Sequence, residues 1–244
     1  MGEAKNQVVV LTGAGGRLGN FLAKRLLAEP QITPVLLTSD PSKLRIDHGS
    51  SSIVHRVVLS DPLSVRKVFG RIHDEQGEID VLINNAGVNK IDSIQDVAED
   101  DWDWINNVNL RGPFLLTRAV SKIMKNQGYG RMVNIASIFG VVSKAKRAAY
   151  STTKWGLVGF TKAVALDLAP NNILVNAVSP GFVDTELTRR ILGEKEIEKL
   201  VDTIPQKRLA DAGEIAKTVV FLSSHHNTYI TGQNIIVDGG FTSA

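Results

Sequence analysis

The chain has 244 residues, a formal net charge of only +3 and no cysteine. Disulfides and thiolate metal sites are therefore excluded, and a charge this small gives no electrostatic footprint for nucleic acid. No apolar run approaches the roughly 20 residues needed to span a bilayer, and the first residues, MGEAKN, carry neither a signal-type apolar segment nor the Ser or Thr that myristoylation wants at position six. The expectation is a soluble, cytoplasmic protein with no nucleic-acid or membrane partner.

In chain order, short apolar runs alternate with longer amphipathic stretches. Val8–Thr12 reads as a strand and Leu18–Ala28 as a helix. Pro34–Thr38 and Ile53–Leu59 read as strands, followed by a helix over Leu63–Asp74, where Asp61 caps ahead of Pro62. Ile79–Ile83 is a strand, Asp101–Lys125 a long helix and Met132–Ala136 a strand. Ala148–Leu168 is a helix and Ile173–Val178 a strand. Helices over Leu187–Val201 and Gly213–Leu222 precede a last strand, Asn234–Val237. This alternation argues an α/β fold, a doubly wound parallel sheet with helices on both faces. Without a linker, a repeat or a low-complexity segment, residues 1–244 read as a single domain.

The stretch TGAGGRLG places Gly13, Gly16 and Gly19 between the first strand and the first helix. Backbone without Cβ lets a pyrophosphate approach closely, and the helix start offers free N–H groups and the positive end of a dipole. The alternative is a glycine-rich turn that only closes a strand–helix unit. Its place after the first strand of an alternating fold favours dinucleotide binding.

In YSTTK, Tyr150 and Lys154 are four apart at the start of a helical pattern, so they share a face. A nearby ammonium favours the phenolate and lowers the phenol's pKa, which would make Tyr150 a workable acid or base. Taken alone, such a pair also occurs on plain helix surfaces. The same helix is apolar on more than one side, at Trp155, Leu157, Val158, Phe160, Val164, Leu166 and Leu168, and a helix apolar on two sides is buried on two sides. His48, His55, His73, His225 and His226 show no metal-ligand spacing and read as surface or loop residues.

Together, TGAGGRLG, NNAG (Asn84–Gly87), NVNLRG around Asn109, NIASIFG around Ser137, YSTTK, SPGFVDT (Ser179–Thr185) and the late VDGG resemble the single-domain branch of the short-chain dehydrogenase/reductase family, in its order and at its spacings. The resemblance covers Val8 to Gly240. It implies a Rossmann-like sheet of seven parallel strands and hydride transfer between NAD(H) or NADP(H) and a small-molecule alcohol or ketone. It assigns four catalytic positions. Tyr150 would be the acid in reduction and the base in oxidation. Lys154 would lower its pKa and bind the nicotinamide ribose. Ser137 would hold the substrate oxygen, and Asn109 a water relaying protons to Lys154. The cofactor would meet Thr12, Gly13, Gly16, Arg17, Leu18 and Gly19 at the first turn, and Ser39, Asp40 and Leu59 at the adenosine end. Asn85, Ala86 and Gly87 would lie beside it, with Asn85 and Gly87 the closest. Pro180, Gly181, Val183 and Thr185 would meet the nicotinamide side, Val183 by backbone and Thr185 by side chain. The resemblance also implies a homotetramer built on the Ala148–Leu168 helix and the one around Leu110–Val120, with a dimer as the alternative.

Several positions depart from the family pattern. Arg17 stands where this branch has glycine, and Gly16 restores the spacing of a longer branch that includes sugar-nucleotide epimerases. Arg17 could meet an adenosine phosphate, including the 2′-phosphate of NADP, or lie on the helix's outer face. Ser39 fills the position where NAD-preferring members often have Asp, and Asp40 the next, where NADP-preferring members often have Arg. A carboxylate there argues for NAD, while Lys43 and Arg45 argue for NADP; the balance leans to NAD. Val58 replaces an adenine-binding Asp, leaving only backbone, around Leu59. The substrate cleft should draw on Val88–Ser93, Phe139–Lys146 and the segment after Gly181. It brings in Asn89, Lys90, Ser143, Lys144, Lys146 and Arg147, whose cations either attract an anionic substrate or are solvated loop charges. Leu187–Val201 could act as a lid. The resemblance is closest to reductases of 3-oxoacyl thioesters and to dehydrogenases of sugar acids or polyols, such as gluconate 5-dehydrogenases. A non-catalytic dinucleotide-binding regulator, or an epimerase or dehydratase, is the alternative. The presence of Ser137, Tyr150 and Lys154 favours an enzyme.

Overall fold

The computed structural model describes residues 6–46, 52–184 and 186–244, the side chains of 186–193 excepted. Among them are seven strands: β1 (Gln7–Thr12), β2 (Ile32–Thr38), β3 (Ile53–Arg56), β4 (Val81–Asn84), β5 (Gly130–Ile135), β6 (Ile173–Pro180) and β7 (Asn234–Val237). They form one parallel sheet in the order β3-β2-β1-β4-β5-β6-β7. The helices are α1 (Arg17–Leu27), α2 (Pro62–Gln76), α3 (Glu99–Asn106), α4 (Gly112–Gln127), α5 (Ala148–Leu168), α6 (Glu186–Asp202) and α7 (Ala212–Ser223). The seven-stranded, doubly wound Rossmann-like sheet read from the sequence is therefore present.

Strand side chains alternate between two apolar layers, as a parallel sheet covered on both faces requires. Val8 and Val10 of β1 face a core shared with Val65, Val68 and Ile72 of α2 and Leu116, Val120 and Met124 of α4. Val9 and Leu11 face the opposite core, with Leu22 and Leu26 of α1 and Ile215 and Val219 of α7. The chain winds outward from β1 to β3, then returns to β4 on the other side of β1. The carboxyl ends of β1 and β4 thus flank the point where strand order reverses, where open α/β sheets bind ligands.

Two expected elements differ. The single helix over Asp101–Lys125 is interrupted by a π-helical turn, Asn107–Arg111, in which the Gly112 N–H bonds back to Asn107 O. Pro113 has no N–H to offer at the start of α4, so the ladder shifts there. The strand expected to reach Leu59 pairs only as far as Arg56, because β3 is the sheet edge and the chain then turns away from β2. Asp61 caps α2 as expected, accepting from Leu63 N (2.9 Å) and Ser64 N (3.2 Å).

Candidate active site

The glycine turn is built by close approach. Gly13 has φ +65, and a Cβ there would lie 2.7 Å from Ala86 Cα. A Cβ on Gly19 would lie 2.1 Å from Gly13 O, so α1 can pack on the turn only with glycine at that position. Gly16 is different: it is exposed, forms the N-cap of α1 with no side-chain cap, and presents open backbone at the helix start. Asn20, which the motif reading passed over, ties the turn down. Its Nδ2 donates to Gly15 O and Gly16 O at 3.0 Å each, and its Oδ1 accepts from Arg45 N at 2.8 Å. A polar residue on the buried stripe of α1, next to Gly19, was the available signal.

The β1 and β4 ends are clamped together. Thr12 Oγ1 accepts from Asn85 N and Ala86 N, both at 3.0 Å, while Asn85 Nδ2 donates to Thr12 O and Gly13 O at 3.0 and 3.2 Å. Thr12 is buried beneath the site and the Asn85 amide is committed to this clamp. Both therefore shape the floor, with Asn85 also on the wall of the cleft above it.

Above the floor runs a cleft of ≈ 550 Å³ whose walls include Gly13, Gly16, Arg17, Leu18, Gly19, Ser39, Leu59, Asn85, Ala86 and Gly87. Trp104 and Val108, which the sequence did not single out, close one side. Lys43 lines the adenosine end with Arg17; Asp40 does not. The Asp40 carboxylate caps the 3-10 turn Pro41–Lys43, accepting from Ser42 N (3.1 Å) and Ser42 Oγ (2.6 Å), and those bonds hold its pKa below the ordinary carboxylate value. It also lies 3.7 Å from Lys43 Nζ. A glycine cradle, an uncapped helix start and two cations fit the anionic end of a dinucleotide.

Below Gly87 lie the titratable groups. Lys154 is buried, and its Nζ donates to Ile135 O at 2.8 Å. A Cβ on Gly87 would fall 3.6 Å from Lys154 Nζ and 3.7 Å from Asn109 Oδ1, so the Gly87 turn, Lys154 and Asn109 meet. Burial pulls the Lys154 ammonium down to about 8. Asn109 sits in the π-helical turn, fully buried, with Nδ2 donating to Val88 O (2.8 Å) and Thr153 Oγ1 (3.2 Å) and Oδ1 accepting from Val88 N (2.8 Å). The half-buried Tyr150 phenol stands above its ordinary value because of burial, opposed by a hydrogen bond from Ser137 and the charge of Arg147. The Lys154 Nζ lies 5.6 Å from the Tyr150 ring centroid and is engaged with Ile135. Ser137 also caps the short turn Ile138–Gly140, with Phe139 N donating to its Oγ at 3.2 Å.

The far wall is aromatic. Phe139 meets Tyr150 edge-on at 6.3 Å and Phe182 at 6.3 Å, and Phe182 meets Phe241 at 5.2 Å. Pro180 ends β6, and a Cβ on Gly181 would lie 2.7 Å from Asp238 Cα. Val183 bridges to Ala210; Thr185 lies outside the described residues. The loop cations separate into different roles. Lys90 is paired with Asp101 and, at 3.5 Å, with Asp92. Lys144 and Lys146 are exposed, whereas Arg147 is half-buried over the Phe139 ring. Among the histidines, His48 lies outside the described residues and His73, His225 and His226 are exposed. His55 is a correction: it sits on β3, largely covered, with Nε2 3.2 Å from Glu75. Among the described residues no cluster of His, Asp and Glu could hold a metal, and no helix is long and apolar enough to cross a membrane. Glu194, Lys195, Glu196 and Glu198 are exposed on α6, as expected of its outer face.

Residues 38–242 match the family model described as Enoyl-(Acyl carrier protein) reductase. The chain is 34% identical to the 3-oxoacyl-[acyl-carrier-protein] reductase FabG of Salmonella typhimurium over 97% of each chain. Among solved structures, it is 28% identical to a 4-hydroxyisoleucine dehydrogenase complexed with NADH, with a TM-score of 0.92 and coverage of 98% of this chain and 100% of that one. It is likewise 28% identical to a gluconate 5-dehydrogenase from Burkholderia cenocepacia in complex with NADP and tartrate, with a TM-score of 0.90 and coverage of 98% and 96%.

Proposed function

This chain belongs to the short-chain dehydrogenase/reductase family, and we propose that it transfers hydride between NADP(H) and the carbonyl or carbinol carbon of a small substrate, with Tyr150 as acid or base. The observation that carries this reading is the grouping of Ser137, Tyr150 and Lys154, with Lys154 Nζ next to Gly87, a residue of the glycine-lined cleft. NAD(P)-dependent oxidoreduction fits the family and the relatives named above, one of which binds NADH and another NADP.

Bound in the cleft, the nicotinamide supplies or accepts the hydride. Gly13, Gly16 and Gly19, with the free N–H groups of the α1 start, would hold the pyrophosphate. Arg17 and Lys43 favour the 2′-phosphate of NADP, since one Asp40 oxygen is held in the Ser42 cap and the other is neutralised by Lys43 at 3.7 Å. Leu59 and Val58 would flank the adenine, and Val183 would face the nicotinamide side. In reduction, the Tyr150 hydroxyl gives its proton to the carbonyl oxygen as the carbon gains hydride; in oxidation the phenolate takes it back. Ser137 donates to the same oxygen, stabilising the charge that develops there. Lys154 contributes positive charge beside the ribose, and Asn109 fixes the turn above it.

The whole chain acts as one domain, in the cytoplasm, as a homotetramer. The exposed apolar side of α5 supports association: Trp155 is 52% and Leu166 79% exposed, and Phe114 of α4 stacks edge-on against Phe160 at 6.4 Å.

The test is oxidation of NADPH and of NADH by the purified protein, against a 3-oxoacyl thioester, 5-ketogluconate and simple ketones. Turnover that vanishes in Tyr150→Phe, with NADPH still bound, is the expected result. Turnover that survives that substitution would overturn the assignment of Tyr150.

A further inference from the structure

Arg147 is unlike the other cations near the site. Its guanidinium is half-buried, with Cζ 5.2 Å above the centroid of Phe139, the ring that meets Tyr150 edge-on. Burial pushes its pKa down, which marks a charge held away from water. Among the described residues no carboxylate pairs with it. Lys90 and Arg208 do have such partners, in Asp101 and Glu214. A buried cation without an anion is costly unless something else supplies the counter-charge.

Its backbone position sharpens the point. Arg147 is the N-cap residue of α5, a 21-residue helix with no acidic residue in its first turn and no side-chain cap. The positive end of that helix dipole and the guanidinium repel one another. Lys146, in the left-handed region at φ +65, sets the turn that brings Arg147 back over Phe139. A non-glycine residue there costs about 1 kcal/mol. Ser143 Oγ and Ser151 Oγ, 2.8 Å apart, tie the same loop to α5. The loop is thus built to hold a cation beside the reactive phenol at a point where positive potential is already high.

We propose that Arg147 is the receptor for a carboxylate of the substrate, so that the protein acts on small keto acids and hydroxy acids in preference to neutral carbonyl compounds or esterified acyl chains. The inference rests on the hydride-transfer reading above. One guanidinium face is covered by Phe139, and its planar fork matches a carboxylate bidentately. The carboxylate would lie on the same side of the cleft as Tyr150, with the reacting carbonyl between them.

Because the charge of Arg147 also acts on the Tyr150 phenol, rates alone would mix two effects, and equilibrium binding separates them. The experiment titrates the NADPH complex, followed by NADPH fluorescence, with gluconate against sorbitol and with 3-hydroxybutyrate against its methyl ester. These pairs differ only at the carboxylate. The expected result is tighter binding of both acids by about 10- to 100-fold, a preference removed in Arg147→Gln and partly kept in Arg147→Lys, with NADPH affinity unchanged. Equal binding of acid and neutral partner, or a preference that survives Arg147→Gln, overturns the proposal while leaving hydride transfer standing. Failure to bind NADPH at all would instead remove the reading on which it rests, and the proposal with it.

Discussion

Asn109 grips Val88 by both of its backbone groups, accepting from its N–H and donating to its C=O at 2.8 Å each. The grip exists because the π-helical turn rotates Asn109 inward, and it fixes the segment that runs from Gly87 along the cleft wall. Asn109→Ala leaves both groups of Val88 without their side-chain partner, and should cost about 2 to 4 kcal/mol in urea unfolding. A loss below about 1 kcal/mol would mean that water satisfies Val88 and that the grip is incidental.

Gly19 and Gly16 should respond to alanine in opposite ways. At Gly19 the new Cβ meets Gly13 O at 2.1 Å, so Gly19→Ala must displace α1 from the turn. It is expected to lose more than about 3 kcal/mol of stability or fail to fold. At Gly16 the closest atom is Gly13 O at 3.3 Å, in an exposed position, so Gly16→Ala should keep its melting temperature within a few degrees. It should weaken NADPH binding about tenfold, because the added methyl occupies the approach of the pyrophosphate. Thermal melts and fluorescence titration of the two variants check both halves.

The strands were legible because parallel-sheet strands are apolar on both faces and short, and each of the seven could be placed. Both ends of α5 could be read directly, since its pattern runs unbroken from Ala148 to Leu168. The π-helical turn was not legible: hydrophobic spacing continues through it, and only Pro113 hints at a change of ladder. Of the site, Tyr150 and Lys154 were legible as a pair from their spacing, and Ser137 only through the resemblance to the family. The direction in which Asp40 turns was not legible, because a carboxylate two residues before Ser42 can cap a turn or face a ligand, and only the fold decides. Trp104 was invisible for the same reason, whereas Asn20 left a signal as a polar residue on the buried stripe of α1. The place of Trp104 on the cleft wall comes from elements brought together by the fold, not from its neighbours in sequence.

Lys154 gives a pH signature. Its folded pKa of about 8 lies below its ordinary value of 10.5, so the unfolded chain binds more protons between those limits. Stability should therefore rise with pH from 8 towards 10.5, and the burial cost of the ammonium is fully present below 8. Lys154→Met removes that cost, and should raise the melting temperature at pH 7 by an amount that shrinks as pH approaches 10. Measurement stops there, because the raised pKa of Tyr150 makes stability fall once the unfolded phenol ionises. A melting difference independent of pH would show that the Lys154 amine keeps its ordinary pKa in the folded chain and carries no burial cost.

Arg17 and Lys43 stand on the cleft wall at the adenosine end, while Asp40 is tied to Ser42. If they hold the 2′-phosphate, Arg17→Ala with Lys43→Ala should weaken NADPH binding about 10- to 100-fold and leave NADH within about threefold. Isothermal titration reads both constants without turnover. Equal losses for the two cofactors would place these cations on the pyrophosphate instead, and a wild-type preference for NADH would return the choice to Asp40.

Trp155 and Leu166 lie on the side of α5 turned away from the sheet, while Leu157 and Leu168 fill the core. A helix apolar on both sides, with its outer side 52% exposed at Trp155 and 79% at Leu166, leaves a patch that water covers poorly unless another copy packs on it. Phe114 and Phe160 extend the patch onto α4. Removing it should separate subunits without unfolding them, since neither Trp155 nor Leu166 contributes to the buried core of its own chain. Trp155→Glu with Leu166→Glu is therefore expected to shift the sedimenting species at micromolar concentration from tetramer to dimer or monomer, with the far-ultraviolet circular dichroism unchanged. A wild-type protein that already sediments as a monomer would refute the tetramer and leave this face to a different partner.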